Sequence, residues 1–339
     1  MNPSLRGAGI SGIGMCVPEK ILTNSDLEKI VETSDEWIFS RTGIRERRVA
    51  AENESTGDFA TGAAREAMAV AGLNPEDVDL LLVATCTGDT NALPATATWV
   101  QEKLGAWNAA AYDLSAACAG FAYAVDAAHQ YLATGRYKNV LVIGAETMTR
   151  IVDWTDRNTC VLFGDGAGAI VMTPCEPGDG VLSSVTGADG RGACKLYVPG
   201  AGTRDPKGSP YLYMEGKDVY RFAVEIMGEA AVQALDKAGI TPEQVDLFVP
   251  HQANIRIIEA AAKRMNLPPE KVFVNVEKYG NTSAASIPIA MYEAWKSGLL
   301  KPGDIIVSVG FGAGLTWGAN VIKWGNLPAA VADSGETTS

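Results

Sequence analysis

Cys118 is the residue of this chain whose type and position best fit covalent chemistry. It lies in a run of small residues between an apolar, strand-like stretch and a helical pattern over Phe121–Ala133. A cysteine at the N-terminal end of a helix is expected to have a lowered pKa, because the helix dipole stabilises the thiolate. The position therefore predicts a nucleophile. A small buried cysteine in a crowded turn is the structural alternative.

A nucleophilic cysteine commonly works with a histidine, and this chain has two. His129 lies about three turns along the helix that contains Phe121, so we expect a structural role for it. His251 follows an apolar strand pattern at 247–250 and precedes a helix predicted from about Asn254. It therefore lies at the carboxyl end of a strand, where α/β proteins gather their chemistry. This makes His251 the better partner for the cysteine.

The composition argues against several classes of protein. The six cysteines form no CxxC or His/Cys cluster with zinc-ligand spacing, so we expect no metal site. The net charge of −12 argues against general nucleic-acid binding. The N-terminus has no apolar signal core, and no apolar stretch is long enough to span a bilayer. We therefore expect a cytoplasmic protein that binds neither nucleic acid nor membrane.

An internal repeat organises the chain. The segment Ala71–Leu80 recurs as Ala238–Leu247 with seven identities in ten positions. Each copy follows an alanine-rich helical pattern and runs into an apolar strand pattern. A period of roughly 165 residues is too long for a solenoid and fits duplication of a whole α/β unit. We expect the two halves to span 1–175 and 176–326, and the polar tail at 327–339 to be disordered.

A second correspondence relates Cys118 to Asn281. Cys118 precedes Gly135 by 17 residues, and Asn281 precedes Gly298 by 17 residues. Strands alternate with helices in both halves, which predicts an α/β fold with a largely parallel sheet in each half. Because chemistry gathers at the strand carboxyl ends of such sheets, Cys118 and Asn281 should stand at equivalent elbows and face one shared site.

Several short blocks carry a resemblance to a known family. Four of them resemble the active-site blocks of the β-ketoacyl-acyl carrier protein synthase III family: Asp113–Cys118, Val249–Asn254, Tyr279–Ser283 and Gly310–Gly314. Three more match it elsewhere: Thr33–Ile38, Arg41–Ile44 and Phe163–Gly168. The resemblance runs from about residue 5 to 325. It implies a duplicated thiolase-like fold, with two pseudo-symmetric halves in five αβαβα layers, and a homodimer.

The resemblance implies a catalytic triad of Cys118, His251 and Asn281. In that family the cysteine takes the acyl group from an acyl-CoA, and malonyl-acyl carrier protein then loses CO2 to give an enolate that attacks the acyl-cysteine. His251 and Asn281 would donate hydrogen bonds to the enolate oxygen. The backbone N–H groups of Cys118 and Ala313 would form an oxyanion hole. The product, a β-ketoacyl-acyl carrier protein, initiates fatty acid synthesis. The CoA thioester is a substrate, and no cofactor is expected.

The resemblance also implies binding residues. Five positions match coenzyme A contacts of the family: Trp37, Arg41, Arg157, Gly216 and Arg256. Four basic positions match a docking patch for the acidic carrier protein: Arg221, Arg256, Lys263 and Arg264. Leu93 matches the residue that closes the acyl pocket across the dimer, where acetyl-selective members carry phenylalanine. The smaller leucine predicts acceptance of longer or branched acyl groups, and packing at the interface is its structural alternative.

Related condensing enzymes differ from this chain in identifiable ways. A biosynthetic thiolase needs a second cysteine in the C-terminal glycine-rich loop, and Val309–Gly314 has none. Elongating synthases use two histidines, whereas Asn281 stands at the second position. A chalcone-synthase-like polyketide synthase shares the Cys-His-Asn triad. The sequence therefore leaves one alternative open, a starter-unit condensing enzyme of a polyketide or other secondary-metabolite pathway.

Overall fold

The computed structural model describes residues 5–91, 93–200 and 202–328, so the predicted tail lies outside the described residues from 329 onwards. The strands are β1 (Gly7–Cys16), β2 (Ile21–Thr23), β3 (Glu46–Arg48), β4 (Leu80–Ala84), β5 (Ala110–Leu114), β6 (Val140–Thr147), β7 (Asp165–Cys175), β8 (Gly180–Ala188), β9 (Leu196–Tyr197), β10 (Tyr213–Met214), β11 (Leu247–Pro250), β12 (Ile305–Gly312) and β13 (Thr316–Lys323). The α-helices are α1 (Asn24–Leu27), α2 (Asp35–Thr42), α3 (Thr56–Ala71), α4 (Thr96–Leu104), α5 (Gly120–Ala133), α6 (Gly216–Ala238), α7 (Ile255–Arg264), α8 (Val276–Tyr279) and α9 (Ser286–Lys296).

The main sheet of the described chain is mixed. Its strand order is β11-β12-β13-β8-β1-β7-β6-β4-β5, and the first and second halves of the chain meet where Ala8 of β1 pairs with Gly180 of β8. The prediction of a largely parallel sheet is wrong for two strands. β7 runs antiparallel to β1 and β6, and β13 runs antiparallel to β8 and β12. No α-helix connects β6 to β7 or β12 to β13, so the chain returns beside the strand that it has just left.

The predicted duplication is confirmed by the strand order. β1, β7, β6 and β4 of the first half correspond to β8, β13, β12 and β11 of the second. The counterpart of β5 is reduced to a parallel bridge between Phe248 and Val272. The helix before each copy of the repeated segment ends at a glycine in the left-handed region, Gly72 (φ 68°) in the first copy and Gly239 (φ 67°) in the second. That conformation favours glycine because other residues meet a clash at Cβ.

The helices complete five layers. α5 and α9 each contact strands of both halves, so they form the middle layer. α3 packs with α4 on the outer side of the first half, and α6 packs with α7 on the outer side of the second. Side chains such as Phe121, Val125 and Leu132 of α5 are buried, as expected for a helix enclosed between the strands of the two halves. The predicted αβαβα architecture is therefore confirmed, and the two middle helices begin at the elbows that carry the candidate site.

Candidate active site

Cys118 lies at a tight elbow between β5 and α5. A 3₁₀ turn over Ala117–Ala119 precedes the helix, and Ala117 has φ 47°, a strained value for a residue with a side chain. The end of β12 comes very close to this elbow. A Cβ at Gly312 would stand 2.5 Å from the Cys118 backbone nitrogen, so glycine is required there. The elbow holds the Cys118 thiol, 8% exposed, against the wall of a cavity.

The elbow at the start of α9 repeats this geometry. The residue equivalent to Cys118 is, however, not Asn281 as predicted. A 3₁₀ turn over Ser283–Ala285 precedes α9, and Ser283 has φ 50°, as Ala117 does at the first elbow. Cys118 therefore corresponds to Ala284, and Asn281 lies three positions earlier. The equal 17-residue spacings are a coincidence, because α5 has 14 residues and α9 has 11. The two elbows nevertheless contact each other.

One cavity of about 240 Å³ brings together the four residues predicted to take part in catalysis. Cys118, His251, Asn281 and Ala313 all line it. Most of the remaining lining is apolar, including Met148, Ile151, Leu196, Leu212, Ile257 and Phe311. A thiol, an imidazole and a carboxamide thus share an apolar pocket whose polar groups are few and convergent, as in small-molecule sites generally.

The predicted lowering of the Cys118 pKa is wrong. Burial raises the pKa of this thiol from its ordinary 9.0 to about 12, and the nearby Glu146 adds to the rise, while a hydrogen bond with Ser283 opposes it. Ionisation at a pKa of 12 rather than 9 costs about 4 kcal/mol more, whereas a helix terminus contributes only about 0.3–1 kcal/mol. Desolvation therefore outweighs the helix, and the resting cysteine is a thiol.

His251 is held from two sides. Its Nδ1 lies 2.6 Å from Ser286 Oγ, and its ring packs edge-on against Phe311 with centroids 5.6 Å apart. Burial lowers its pKa to about 3, so the imidazole is neutral at physiological pH. Nε2 is buried and has no hydrogen-bond partner in the described chain. Because His251 lines the cavity, this nitrogen is available to a ligand.

Asn281 has a defined amide orientation. The Ser283 backbone N–H donates to its Oδ1 at 2.8 Å, so Nδ2 remains as the amide donor of a residue that lines the cavity. The backbone of Asn281 is also fixed. Its N–H donates to Leu162 O, and its C=O accepts from Gly164 N–H. These bonds tie the second elbow to the segment before β7.

Glu146 is a buried carboxylate beside the cavity that sequence reasoning missed. It accepts hydrogen bonds from Ser283 Oγ (3.0 Å) and from backbone N–H groups of Cys86 and Thr87, and the Thr87 hydroxyl also donates to it. Burial raises its pKa, and these donors oppose the rise. Glu146 thus joins the turn after β4 to the elbow that carries Asn281. No local motif marks this residue, because its partners are distant in sequence.

The two backbone groups predicted to form an oxyanion hole lie on one wall of the cavity. Neither the Cys118 N–H nor the Ala313 N–H takes part in a turn or loop hydrogen bond of the described chain. Thr316 Oγ1 contacts Ala116 O (2.9 Å) and Ala313 O (3.1 Å), which ties the loop between β12 and β13 to the cysteine elbow. The arrangement leaves two N–H donors for a developing oxyanion.

An outer groove leads from the surface to the cavity. Trp37, Arg41, Gly216 and Lys217 line it, and Lys217 was not predicted. The groove shares Leu162, Leu212, Met214 and Gly216 with the inner cavity. At Gly216, an added Cβ would meet only Met214 Cε within 4 Å, at 3.8 Å, so the packing of the described chain does not require this glycine. Gly216 instead lines both the outer groove and the inner cavity.

Two of the arginines predicted to bind coenzyme A lie against the ring of Trp37, which lines this groove. The Arg41 and Arg157 guanidinium carbons lie 4.6 Å and 5.3 Å from the centroid of the Trp37 ring. Arg256 donates to Ser40 O at 2.7 Å, beside Arg41, but it lines neither the groove nor the cavity. The structure thus brings these basic residues to one end of the passage.

The remaining predicted residues lie on the surface. Arg221, Lys263 and Arg264 line one shallow depression between α6 and α7, and Arg256 lies on the same face of α7, seven residues before Lys263. Leu93 is 86% exposed and lines neither the inner cavity nor the outer groove. A further cavity shares Cys86 with the inner cavity and is lined by residues 87–91, next to Leu93.

The described residues contain no group of three or more His, Cys, Asp or Glu side chains that could hold a metal ion. None of their helices is long and apolar enough to cross a membrane.

Comparisons with known proteins agree on one family. Residues 112–190 match a family model described as 3-oxoacyl-[acyl-carrier-protein] synthase III, and residues 235–324 match the model of its C-terminal part. A β-ketoacyl-[acyl-carrier-protein] synthase III of Symbiobacterium thermophilum is 56% identical over 328 residues, covering 95% of this chain and 99% of the relative.

Solved structures extend this similarity to three dimensions. The 3-oxoacyl-[acyl-carrier-protein] synthase III of Aquifex aeolicus VF5 has a TM-score of 0.89 and 50% identity, covering 94% of this chain and 100% of its own. The priming β-ketosynthase of the R1128 polyketide pathway has a TM-score of 0.91 and 37% identity, covering 97% and 99%.

Proposed function

The chain belongs to the β-ketoacyl-[acyl-carrier-protein] synthase III family, and we propose that Cys118, His251 and Asn281 carry out its reaction. The enzyme condenses an acyl-CoA with malonyl-acyl carrier protein and so initiates fatty acid synthesis. The observation that supports the residue assignment is the shared cavity, in which a thiol faces two polar side chains with unused donors. We propose that the CoA thioester enters as a substrate and that no resident cofactor is needed.

The first half-reaction moves the acyl group to the enzyme. Cys118 Sγ attacks the thioester carbonyl of acyl-CoA, the bond from that carbon to the CoA sulfur breaks, and the thiol proton ends on the released CoA. The N–H groups of Cys118 and Ala313 stabilise the oxyanion of the tetrahedral intermediate. Because burial raises the pKa of the resting thiol, we expect proton loss to accompany attack rather than precede it.

The second half-reaction forms the new carbon–carbon bond. Malonyl-acyl carrier protein loses CO2, and the electron pair of the broken bond becomes a thioester enolate. His251 Nε2 and Asn281 Nδ2 donate hydrogen bonds to the enolate oxygen, since Nε2 lacks a partner in the described chain and Oδ1 is occupied by Ser283. The enolate carbon then attacks the acyl-cysteine. Cys118 leaves as a thiolate, takes up a proton, and the β-ketoacyl-acyl carrier protein departs.

The outer groove fits the coenzyme A part of the substrate. We place the adenine at Trp37 between Arg41 and Arg157, where a planar base can stack on the ring and on guanidinium planes. Arg41 and Arg256, with Lys217, supply positive charge for the phosphates. The pantetheine arm then passes Gly216 to reach the inner cavity.

We also propose a homodimer. β5 is one of the two edge strands of the main sheet, and an edge strand exposes unpaired backbone groups that another strand can bind. Large apolar side chains on this side of the fold are exposed, among them Leu93, Trp99, Trp107 and Tyr112. A second copy of the chain would cover both features. The cytoplasmic location predicted from the sequence stays a prediction.

The alternative of a polyketide starter enzyme is not favoured. The R1128 priming synthase is 37% identical to this chain, whereas the synthase III relative is 56% identical over a similar share of it. The direct test is to incubate purified protein with a panel of acyl-CoAs and malonyl-acyl carrier protein. We expect β-ketoacyl-acyl carrier protein by intact mass, and no condensation product with any starter would contradict the proposed function.

The docking patch gives a prediction with a small effect. Lys263 lines the depression between α6 and α7, so Lys263→Ala should weaken binding of the acidic carrier protein. We expect KM for malonyl-acyl carrier protein to rise about two- to fivefold at low salt, since an exposed charge contributes about 0.2–1 kcal/mol. Acylation by acyl-CoA should be unchanged. Lys301→Ala, an exposed lysine outside the patch, is the matched control. Equal KM values for the two variants would remove Lys263 from the docking surface.

Leu93 gives a prediction about starter choice. If Leu93 of the partner subunit closes the acyl pocket, Leu93→Phe should lower the ratio of kcat/KM for isobutyryl-CoA to that for acetyl-CoA about tenfold, as expected when one pocket loses room for one or two methylene groups. Leu299→Phe changes another exposed leucine, 55% exposed, and should leave the ratio unaltered. An unchanged ratio in Leu93→Phe would leave this residue as interface packing only.

A further inference from the structure

Ser286 makes a hydrogen bond to His251 that fixes where the imidazole proton lies. Ser286 is the first residue of α9, is 2% exposed, and its Oγ lies 2.6 Å from His251 Nδ1. The bond can be formed in two ways. Either the hydroxyl donates to an unprotonated Nδ1, or a protonated Nδ1 donates to the hydroxyl oxygen.

The other contact of Ser286 decides between these two arrangements. The backbone N–H of Gln252 donates to Ser286 Oγ at 3.3 Å, so the hydroxyl is already an acceptor. Its own hydrogen has no acceptor in the described chain other than Nδ1. With the proton on Nδ1, the buried hydroxyl hydrogen would be left without a partner, which is unfavourable for a group removed from water. The arrangement with Ser286 as donor satisfies both groups.

The position of Ser286 at a helix terminus favours the same arrangement. The N-terminal end of an α-helix carries partial positive charge. A nearby ring nitrogen is therefore more stable with its lone pair toward this end than with an N–H group there. Nδ1 faces this end of α9 through the Ser286 side chain. Only desolvation shifts the pKa of His251, so no charged neighbour competes with this preference.

We propose that Ser286 is a positioning residue that holds neutral His251 as the tautomer with its proton on Nε2. In this form Nε2 is a hydrogen-bond donor aimed into the cavity and cannot act as a base there. His251 therefore serves the enolate oxygen of the second half-reaction rather than the removal of the Cys118 proton. The link to decarboxylation rests on the proposed function, whereas the tautomer itself does not.

The chain offers a direct test of the tautomer because it has only two histidines. Protein labelled with ¹⁵N-histidine would be studied by two-bond ¹H–¹⁵N correlation NMR without substrate, and His129→Gln would assign the two rings. We expect Nδ1 of His251 to be unprotonated and Nε2 protonated. A protonated Nδ1 in the wild type would overturn the proposal. A protein that shows the expected tautomer but does not condense substrates would overturn the proposed function only.

Ser286→Ala tests the positioning role. We expect a protonated Nδ1 population to appear and CO2 release from malonyl-acyl carrier protein to fall about tenfold, the scale on which outer partners of functional histidines act. Acylation of Cys118 should stay within about twofold. Ser183→Ala, which removes a buried hydroxyl bonded to Ala234 O outside the cavity, controls for lost stability, and Ser286→Thr should restore the Nε2–H form. Unchanged decarboxylation in Ser286→Ala would refute the positioning role.

Discussion

Cys118→Ala is expected to abolish transfer of the acyl group to the enzyme. In the proposed mechanism the acyl group is carried on Cys118 Sγ, the one nucleophilic side chain in the 3₁₀ turn over Ala117–Ala119. Loss of a nucleophile removes the covalent route, so condensation should fall on the order of 10⁴–10⁶-fold. Intact-protein mass spectrometry after mixing with acetyl-CoA measures the adduct directly. Decarboxylation of malonyl-acyl carrier protein should persist, because its hydrogen-bond donors are on other residues.

Two further cysteines make this experiment specific. Cys86 also lines the cavity, but its thiol donates a hydrogen bond to Glu146 Oε1 at 3.2 Å. Cys86→Ala should therefore still be acylated. Cys160 is buried but does not line the cavity, so Cys160→Ala matches the loss of a buried thiol without touching the site. A full acyl adduct on Cys118→Ala would show that the nucleophile has been assigned to the wrong residue.

Asn281→Ala is expected to impair the second half-reaction and to keep the first, which is the opposite of the result expected for Cys118→Ala. It removes Nδ2 as a donor to the enolate, and loss of one preorganised donor costs about 2.7–4 kcal/mol, or 10²–10³-fold in rate. CO2 release from malonyl-acyl carrier protein should fall by that factor. Acylation of Cys118 should continue, because the oxyanion of that step is bound by backbone N–H groups. The measurements are rates of CO2 release and of adduct formation on the same preparation.

The control for this variant is a buried asparagine elsewhere. Asn320 is fully buried and bonds Ala122 O and Ser184 Oγ, outside the cavity. Asn320→Ala should lower thermal stability with little change in the ratio of the two rates. His251→Ala should resemble Asn281→Ala in its loss of decarboxylation. Normal CO2 release by Asn281→Ala would exclude this side chain from enolate stabilisation.

The pattern of elements and the site-bearing segments were readable from sequence because their signals are local. The repeated segments show their helix ends and strands within ten residues, and both copies fold as predicted. The placement of His251 after β11 and before α7 was predicted in the same way. The direction of β7 and β13 was missed, since strand direction depends on how the chain returns rather than on the composition of the strand.

Features that depend on distant neighbours came only from the tertiary structure. The bond between Glu146 and Ser283 joins residues 137 positions apart, and that between His251 and Ser286 spans 35. The raised pKa of Cys118 also has this origin, because desolvation is summed over every group that excludes water from the thiol, whatever its place in the chain. By itself the sequence determined which residue types stand at the two elbows. Folding decided their hydrogen-bond partners and their protonation. It also placed Asn281 three positions before the residue that is equivalent to Cys118, because packing sets distances that periodicity does not encode.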